Sequence, residues 1–443
     1  MWTDPSVPSM EEYQARTKAS AALAHRARAA IPGGTSHALR WYDPYPVFIR
    51  RASGPYVWDV DGNRYLDFWM GHWALILGHS PPVVAEAIGR QLEQGTLWGH
   101  VSELEVRFAE KVKELVPCAE RVRLTNTGSE ATMYAVRLAR AFTGGSRILK
   151  LHGGWHGFNT DLLGADPRRP PTGLPPELKT LVGTIPYNDL QSSLAKIETT
   201  QDLAAVIVEP FLGGPYFLPP SRDYLKGLRE ACDEKGTVLI FDETVTGFRL
   251  ALGGAQEVYG VKPDLATFAK VIGGGMPGAC IAGREDIMEL SNVGKWKGKG
   301  VAIGGGTFSA NPMTLAAGLA TLEHLASNPE VYQRLDGLGA KMRRGVEEAL
   351  GDAGIPVACT GAGSLFETHF LKSSGVRLRT ASDVDSSTDM AMADGPFRRE
   401  LMVKGFYTMH GGGAISTSHE PEQLEGFMAA VQDVGRGLGG RGR

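Results

Sequence analysis

The chain has 443 residues, 42% hydrophobic and 21% charged, the composition of an ordinary globular protein with room for two or three domains. Lysine and arginine number 46 against 49 aspartate and glutamate, a net charge of −3, so bulk charge argues against a nucleic-acid or membrane partner. Cys118, Cys232, Cys280 and Cys359 form no CxxC pair, which removes zinc and haem-attachment frameworks and leaves a reducing, cytoplasmic location as the expectation.

The opening stretch MWTDPSVPSMEEYQ has neither a basic nor an apolar segment, so no secretory signal is expected. No apolar run reaches the roughly 18 residues of a membrane span. Residues 10–30 read as one amphipathic helix, ended by IPGG. YVWDVDGNRYLDF, residues 56–68, sets two alternating segments around Asp61-Gly62 and predicts a hairpin. Helices are predicted near 82–95 and 102–115. From about residue 120, short apolar runs alternate with helical segments: RVRLT, RILKL, AAVIVEP, TVLIFDE, DLATFAK and GACIAG, with one helix starting near Ser221. Such runs are strands buried on both faces. Their alternation with helices predicts an α/β fold with a mostly parallel sheet, whose ligands gather at the carboxyl ends of the strands. After residue 330 come a long helix, GSLFETHF, a helix near 388–403, GFYTMHGGGAISTS and a last helix from Glu420, the pattern of a smaller α+β domain. The terminal GRGLGGRGR is basic and glycine-rich and reads as disordered.

The unusual residues fall at strand ends. In TNTGSEA, residues 125–131, Thr127, Gly128 and Ser129 would offer amides and hydroxyls to a phosphate at a helix N-terminus. The simpler reading is an ordinary cap, with Ser129 as the capping residue. In TVLIFDETVTGFR, residues 237–249, Asp242 follows four apolar residues and needs a partner if buried. That partner is Arg249, a helix N-terminus or a protonated ring nitrogen. In TFAKVIGGGMPG, residues 267–278, Lys270 stands between an apolar run and a glycine triplet, either as a solvated strand-end lysine or as a buried amine. In GGGTFSANP, residues 304–312, glycines lead to Thr307 and a helix. A phosphate cradle, a buried acid and a lysine together suit pyridoxal phosphate: the lysine forms a Schiff base and the acid keeps the pyridine nitrogen protonated. Burial would lower the lysine pKa and let it act as a base.

FDETVTGFR, PDLATFAKVIGGGMPG, TNTGSEA and GTFSANP resemble the signatures of class III aminotransferases, of the pyridoxal-phosphate fold type I, in matching order over residues 20–435. The resemblance implies a catalytic pair, Lys270 as the Schiff-base lysine and Asp242 as the pyridine-nitrogen partner. It puts Val245 on one ring face and Trp155, with His156 beside it in GGWHG, on the other, where the family usually stacks a tyrosine. Thr127, Gly128 and Ser129 match the phosphate cup. Thr307 matches a phosphate contact that reaches the neighbouring subunit's cofactor, which implies a homodimer. The domains expected are an N-terminal arm with part of a small domain (1–75), a large cofactor-binding domain (76–328) and a C-terminal small domain (329–443).

The chain is most similar to the branch that holds glutamate-1-semialdehyde 2,1-aminomutase, D-phenylglycine aminotransferase and β-phenylalanine aminotransferases. GGTSHALRWYDPYPVF, residues 33–48, resembles the aminomutase segment in which an arginine takes the substrate carboxylate, and Arg40 falls there. Three departures from the aminomutases stand out. GHWALILGH, residues 71–79, looks like the D-phenylglycine enzyme and places His72 near the substrate. Gly213 and Gly214 replace an asparagine expected after VEP. TMHGGGAIS, residues 408–416, lacks the aminomutase glutamate and also the β-phenylalanine enzymes' arginine, leaving His410 as its one ionisable residue. The reading is a metal-free aminotransferase passing an amino group from a carboxylate-bearing amino acid (aromatic, β- or D-) to a 2-keto acid. The alternatives are an aminomutase-type isomerase and an amino-acid racemase.

Overall fold

The computed structural model describes residues 8–163, 172–295 and 302–439. The chain forms two compact units: one from residues up to Pro81, Arg334–Arg377 and residues from Asp385 on, the other from Pro82–Gln333 and Leu378–Val384.

In the first unit, β1 (Ile49–Ser53), β2 (Tyr56–Asp59) and β3 (Arg64–Asp67) form an antiparallel meander. The β2–β3 turn is the predicted hairpin around Asp61-Gly62, and Gly62 supplies the positive φ of 91°. The helix expected over 10–30 is two helices, Pro8–Arg16 and Lys18–Ala30. The break has a tertiary cause: Asp61, at the hairpin tip, accepts the amides of Ala19 and Ser20 and so caps the second helix from outside.

The second unit holds the seven-stranded sheet, order β4-β10-β9-β8-β7-β5-β6. Its strands are β4 (Arg121–Thr125), β5 (Arg147–Leu151), β6 (Val182–Ile185), β7 (Leu203–Val208), β8 (Val238–Asp242), β9 (Leu265–Phe268) and β10 (Ala279–Gly283). Pairs β6–β5, β5–β7, β7–β8 and β8–β9 are parallel, while β10 runs antiparallel to both β9 and β4. Every residue of β7, β8, β9 and β10 is buried, as continuous apolar runs require. The helix expected near Ser221 starts at Tyr224.

The remaining strands belong to the first unit: β11 (Val357–Thr360), β12 (Leu365–Phe370), β13 (Phe406–Tyr407), parallel to β3, and β14 (Gly413–Ala414), antiparallel to β12. The helix near 388–403 contains a π turn over Ala393–Phe397, where Pro396 has no amide to give the ladder. The end expected to be disordered is ordered through Gly439: the last helix is Pro421–Gly439, and residues 440–443 lie outside the described residues. Gly435 explains why glycine suits this helix, since a Cβ there would stand 3.1 Å from both Ala353 and Leu350. Among the described residues no helix is long and apolar enough to cross a membrane.

Candidate active site

The parallel register of β8 on β9 sets Asp242 opposite Thr267 and lets the Thr267 hydroxyl donate to Asp242 Oδ1 at 3.1 Å. The Thr244 amide donates to the same oxygen at 3.0 Å, and His156 Nδ1 lies 2.8 Å from Oδ2. Arg249 is not among these hydrogen-bond partners. Burial favours the neutral acid, but the hydrogen bonds from His156 and from the Thr244 amide outweigh it and hold Asp242 below the usual carboxylate range. Burial outweighs Asp242 in the other direction at His156 and lowers its pKa. A neutral imidazole beside an ionised carboxylate carries its proton on Nδ1. That leaves His156 Nε2 as a buried acceptor with no hydrogen-bond partner among the described residues.

Lys270 opens the turn after β9 in the left-handed region, at φ 54°, strained backbone for a lysine. Burial lowers its pKa, Asp242 and Glu209 oppose that, and Arg249 adds to it. Lys270 is half-buried, between the solvated and the interior readings.

Helix Gly128–Thr143 begins beside them, after β4. Its cap is Thr127 rather than Ser129: the Thr127 hydroxyl accepts the Glu130 amide at 3.2 Å, and Glu130 returns a bond to the Thr127 amide at 3.0 Å. The Thr127 hydroxyl thus accepts from the helix and keeps its own proton to donate. The amides of Gly128 and Ser129 have no intrahelical acceptor and remain for an anion. Gly128 lies close to Thr244, where a Cβ would stand 3.0 Å from Oγ1, itself buried and without a hydrogen bond among the described residues. Gly157, at φ 84°, lets the loop after β5 pass over Ser129, whose Oγ would be 2.0 Å from a Cβ there. The same loop carries half-buried Trp155, edge-on to Phe158 at 5.0 Å. Val245 is buried. These residues fit pyridoxal phosphate: an amine whose pKa burial lowers, an ionised buried carboxylate on the adjoining strand, and two helix-end amides without intrahelical acceptors, bounded by glycine. Thr307 is exposed, on a surface cavity of about 640 Å³ shared with Trp98, His100 and Arg123.

Glu209 was not singled out in the sequence, although the reasoning that marks Asp242 applies to it. It follows the wholly buried β7 and is itself buried. Glu243 is another acid of this kind, but it is occupied by Thr246, Ala255 and Gln256.

The substrate candidates Arg40, His72 and His410 belong to the first unit. Arg40 ends a short turn, exposed, its amide donating to His37 O at 3.0 Å and its side chain with no hydrogen bond or ion pair among the described residues. His72 sits at φ 61°, its ring 4.1 Å from Trp69 and 4.6 Å from His37. His410 pairs with Asp394 at 2.9 Å. The loop that follows Arg40 and His410 line one cavity of about 770 Å³. Arg398, also unmarked by the sequence, lines it too, buried and stacked 4.1 Å from the Tyr42 ring centre.

Residues 38–384 match the family model for aminotransferase class-III. A glutamate-1-semialdehyde 2,1-aminomutase from Thermus thermophilus is 40% identical over 94% of this chain and 98% of its own. A transaminase solved with pyridoxal phosphate bound is 33% identical, with a TM-score of 0.85 over 96% of this chain and 98% of that one. A β-phenylalanine aminotransferase from Variovorax paradoxus is 31% identical, with a TM-score of 0.87 over 98% of this chain and 97% of that one. The lysine, the acid and the helix end therefore stand in a chain that belongs to the class III aminotransferases, pyridoxal-phosphate enzymes of fold type I.

Proposed function

We propose that this enzyme moves an amino group on a small carboxylate-bearing amino compound, with Lys270 and Asp242 as its catalytic pair. The observation that carries the reading is their placement: a half-buried amine of lowered pKa and a buried, ionised carboxylate at the carboxyl ends of adjacent strands. Pyridoxal phosphate, when bound, supplies the electron sink for the bond broken at the amine-bearing carbon. Asp242, braced by His156, would keep the cofactor's ring nitrogen protonated. Gly128 and Ser129 would hold its phosphate, and Val245 and Trp155 would cover its faces. Lys270 takes the proton from the amine-bearing carbon and returns it. Arg40, aided by His72 or His410, receives the substrate carboxylate. A second copy of the chain lends Thr307 to the phosphate, so the working form is a homodimer.

The net reaction divides into two readings. Isomerisation within one molecule has the better support from relatives, since the 40% identical one is named an aminomutase. Transfer between an amino donor and a keto-acid acceptor is favoured by Gly213 and Gly214 in place of the expected asparagine and by the likeness to a β-phenylalanine aminotransferase. Glutamate 1-semialdehyde given alone distinguishes them. Sustained turnover without a keto acid supports isomerisation. A single burst that stops until 2-oxoglutarate or pyruvate is added supports transfer. Inertness toward this substrate and toward a panel of carboxylate-bearing amino donors, in protein that retains its cofactor, would refute both.

A further inference from the structure

Glu209 is an acid placed where acids are costly. It ends β7, whose six residues Leu203–Val208 are all buried, and it is itself only 6% exposed. Its two oxygens are taken up by backbone. Oε1 accepts the Trp155 amide at 2.8 Å, and Oε2 accepts the Gly213 amide at 3.2 Å. Trp155 lies in the loop after β5 and Gly213 in the loop after β7, neighbouring strands of the sheet. One carboxyl group thus ties together two loops that leave the sheet at the end where Asp242 and Lys270 stand. The tie also accounts for the glycine that departs from the aminomutase pattern. A Cβ on Gly213 would lie 2.5 Å from Glu209 Oε2 and 3.7 Å from Val245, so a side chain there and this tie cannot coexist without a shift.

We propose that Glu209 is a positioning residue of the active site: its carboxyl group clamps the Trp155 loop to the Gly213 loop and so fixes the seat of the cofactor ring. The inference rests on the functional reading above and adds to it a residue that touches the reacting groups only through those loops. Its protonation suits the task. Burial and the charge of Asp242 push its pKa up, against the Trp155 amide, Lys270 and the Gly213 amide, to about 8. A clamp neutral at neutral pH places no second negative charge beside Asp242, although the two amides by themselves favour the ionised form. Two carboxyl groups at one site are thereby held in opposite protonation states by their surroundings.

The test uses the full-length holoenzyme and four variants: Glu209→Ala, Glu209→Gln, Gly213→Ala and the double variant of Glu209→Ala with Gly213→Ala. Cofactor affinity and the visible circular dichroism of the bound cofactor report the ring's seat independently of turnover. Glu209→Ala should weaken binding roughly tenfold or more, as two buried amides lose their acceptor, and flatten the dichroism. Glu209→Gln keeps an oxygen for one amide and should fall between wild type and Ala. Gly213→Ala should reproduce the loss in the wild-type background yet add almost nothing to Glu209→Ala, because the clash partner is gone. Unchanged affinity and dichroism in Glu209→Ala, or losses that simply add in the double variant, would overturn the clamp. Amide exchange at Trp155 and Gly213, measured without cofactor, keeps the two claims separable. Wild-type protein that bound no pyridoxal phosphate would sink the functional reading alone. Exchange no faster in Glu209→Ala than in wild type would sink the clamp alone.

Discussion

Burial acts in opposite senses on Lys270 and Asp242, and the chemistry depends on which sense survives. For Lys270 it prevails, and the amine is held below the usual lysine range. For Asp242 it is overcome by His156 and Thr244. Reduction of the holoenzyme with borohydride should fix the cofactor on the peptide that contains Lys270; a label on any other lysine would refute the assignment. Asp242→Asn keeps the shape and removes the charge, and should cost roughly 10²-fold in rate, about 3 kcal/mol of transition-state stabilisation. Near-normal turnover would make Asp242 structural. Glu209 gives a pH signature. Its folded pKa of about 8 lies above the ordinary 4.5, so its contribution to stability is complete below about pH 4.5 and is lost as pH rises toward 8. The charged or titratable groups acting on it are Asp242, Lys270 and Tyr187. Relative to Glu209→Gln, which has no such proton, wild type should therefore lose urea resistance between pH 5 and pH 8. A gap between the two proteins that stays constant across that range would contradict the raised pKa.

At the scale of elements, the helix Gly128–Thr143 and the loop after β5 would form the phosphate end of the proposed site, and each depends on one residue. Thr127→Ala removes the cap and should cost about 1 kcal/mol in urea unfolding. If the Thr127 hydroxyl serves only the helix, cofactor affinity should change far less than stability. An affinity loss larger than the stability loss would mean that the hydroxyl serves the phosphate instead. Gly157→Ala attacks the other half. It forces a side chain onto φ 84° and onto Ser129 Oγ, 2.0 Å from the new Cβ, and should weaken both fold and cofactor binding. Other elements owe their limits to distant partners. Thr17 breaks what local pattern makes one helix, because Asp61 is brought to Ala19 and Ser20. The glycine-rich end continues as helix, because Gly435 packs against Leu350 and Ala353.

For the whole molecule, the proposed dimer gives a sharp expectation. Thr307 is exposed, and so are Trp98, Val101 and Phe308, all in the second unit. If Thr307 completes a neighbour's site, Lys270→Ala and Thr307→Asp chains, each nearly inactive alone, should complement when refolded together. Random pairing makes half the dimers mixed, with one intact site of two, so activity should recover to about a quarter of wild type. No recovery in a mixture shown to contain mixed dimers would mean that each chain serves its own site.

Much was legible in the residue order because it depends on short-range physics. Alternating apolar runs and helices specified a mostly parallel sheet, and the position of Asp242 and Lys270 after such runs put them at the strand ends where ligands gather. The class III resemblance supplied the cofactor from the same segments. Pairing across distance was not legible. The partner of Asp242 lies 86 positions away in His156, and no local pattern chooses it over Arg249. Glu209 and the two amides it joins come from separate loops, so an acid that reads as one more charge in VEP becomes a clamp only when β5 and β7 lie side by side. Local sequence fixes which groups are available and which strand end each occupies. Their protonation states come from burial and from neighbours contributed by other segments, and those exist only once the chain has folded.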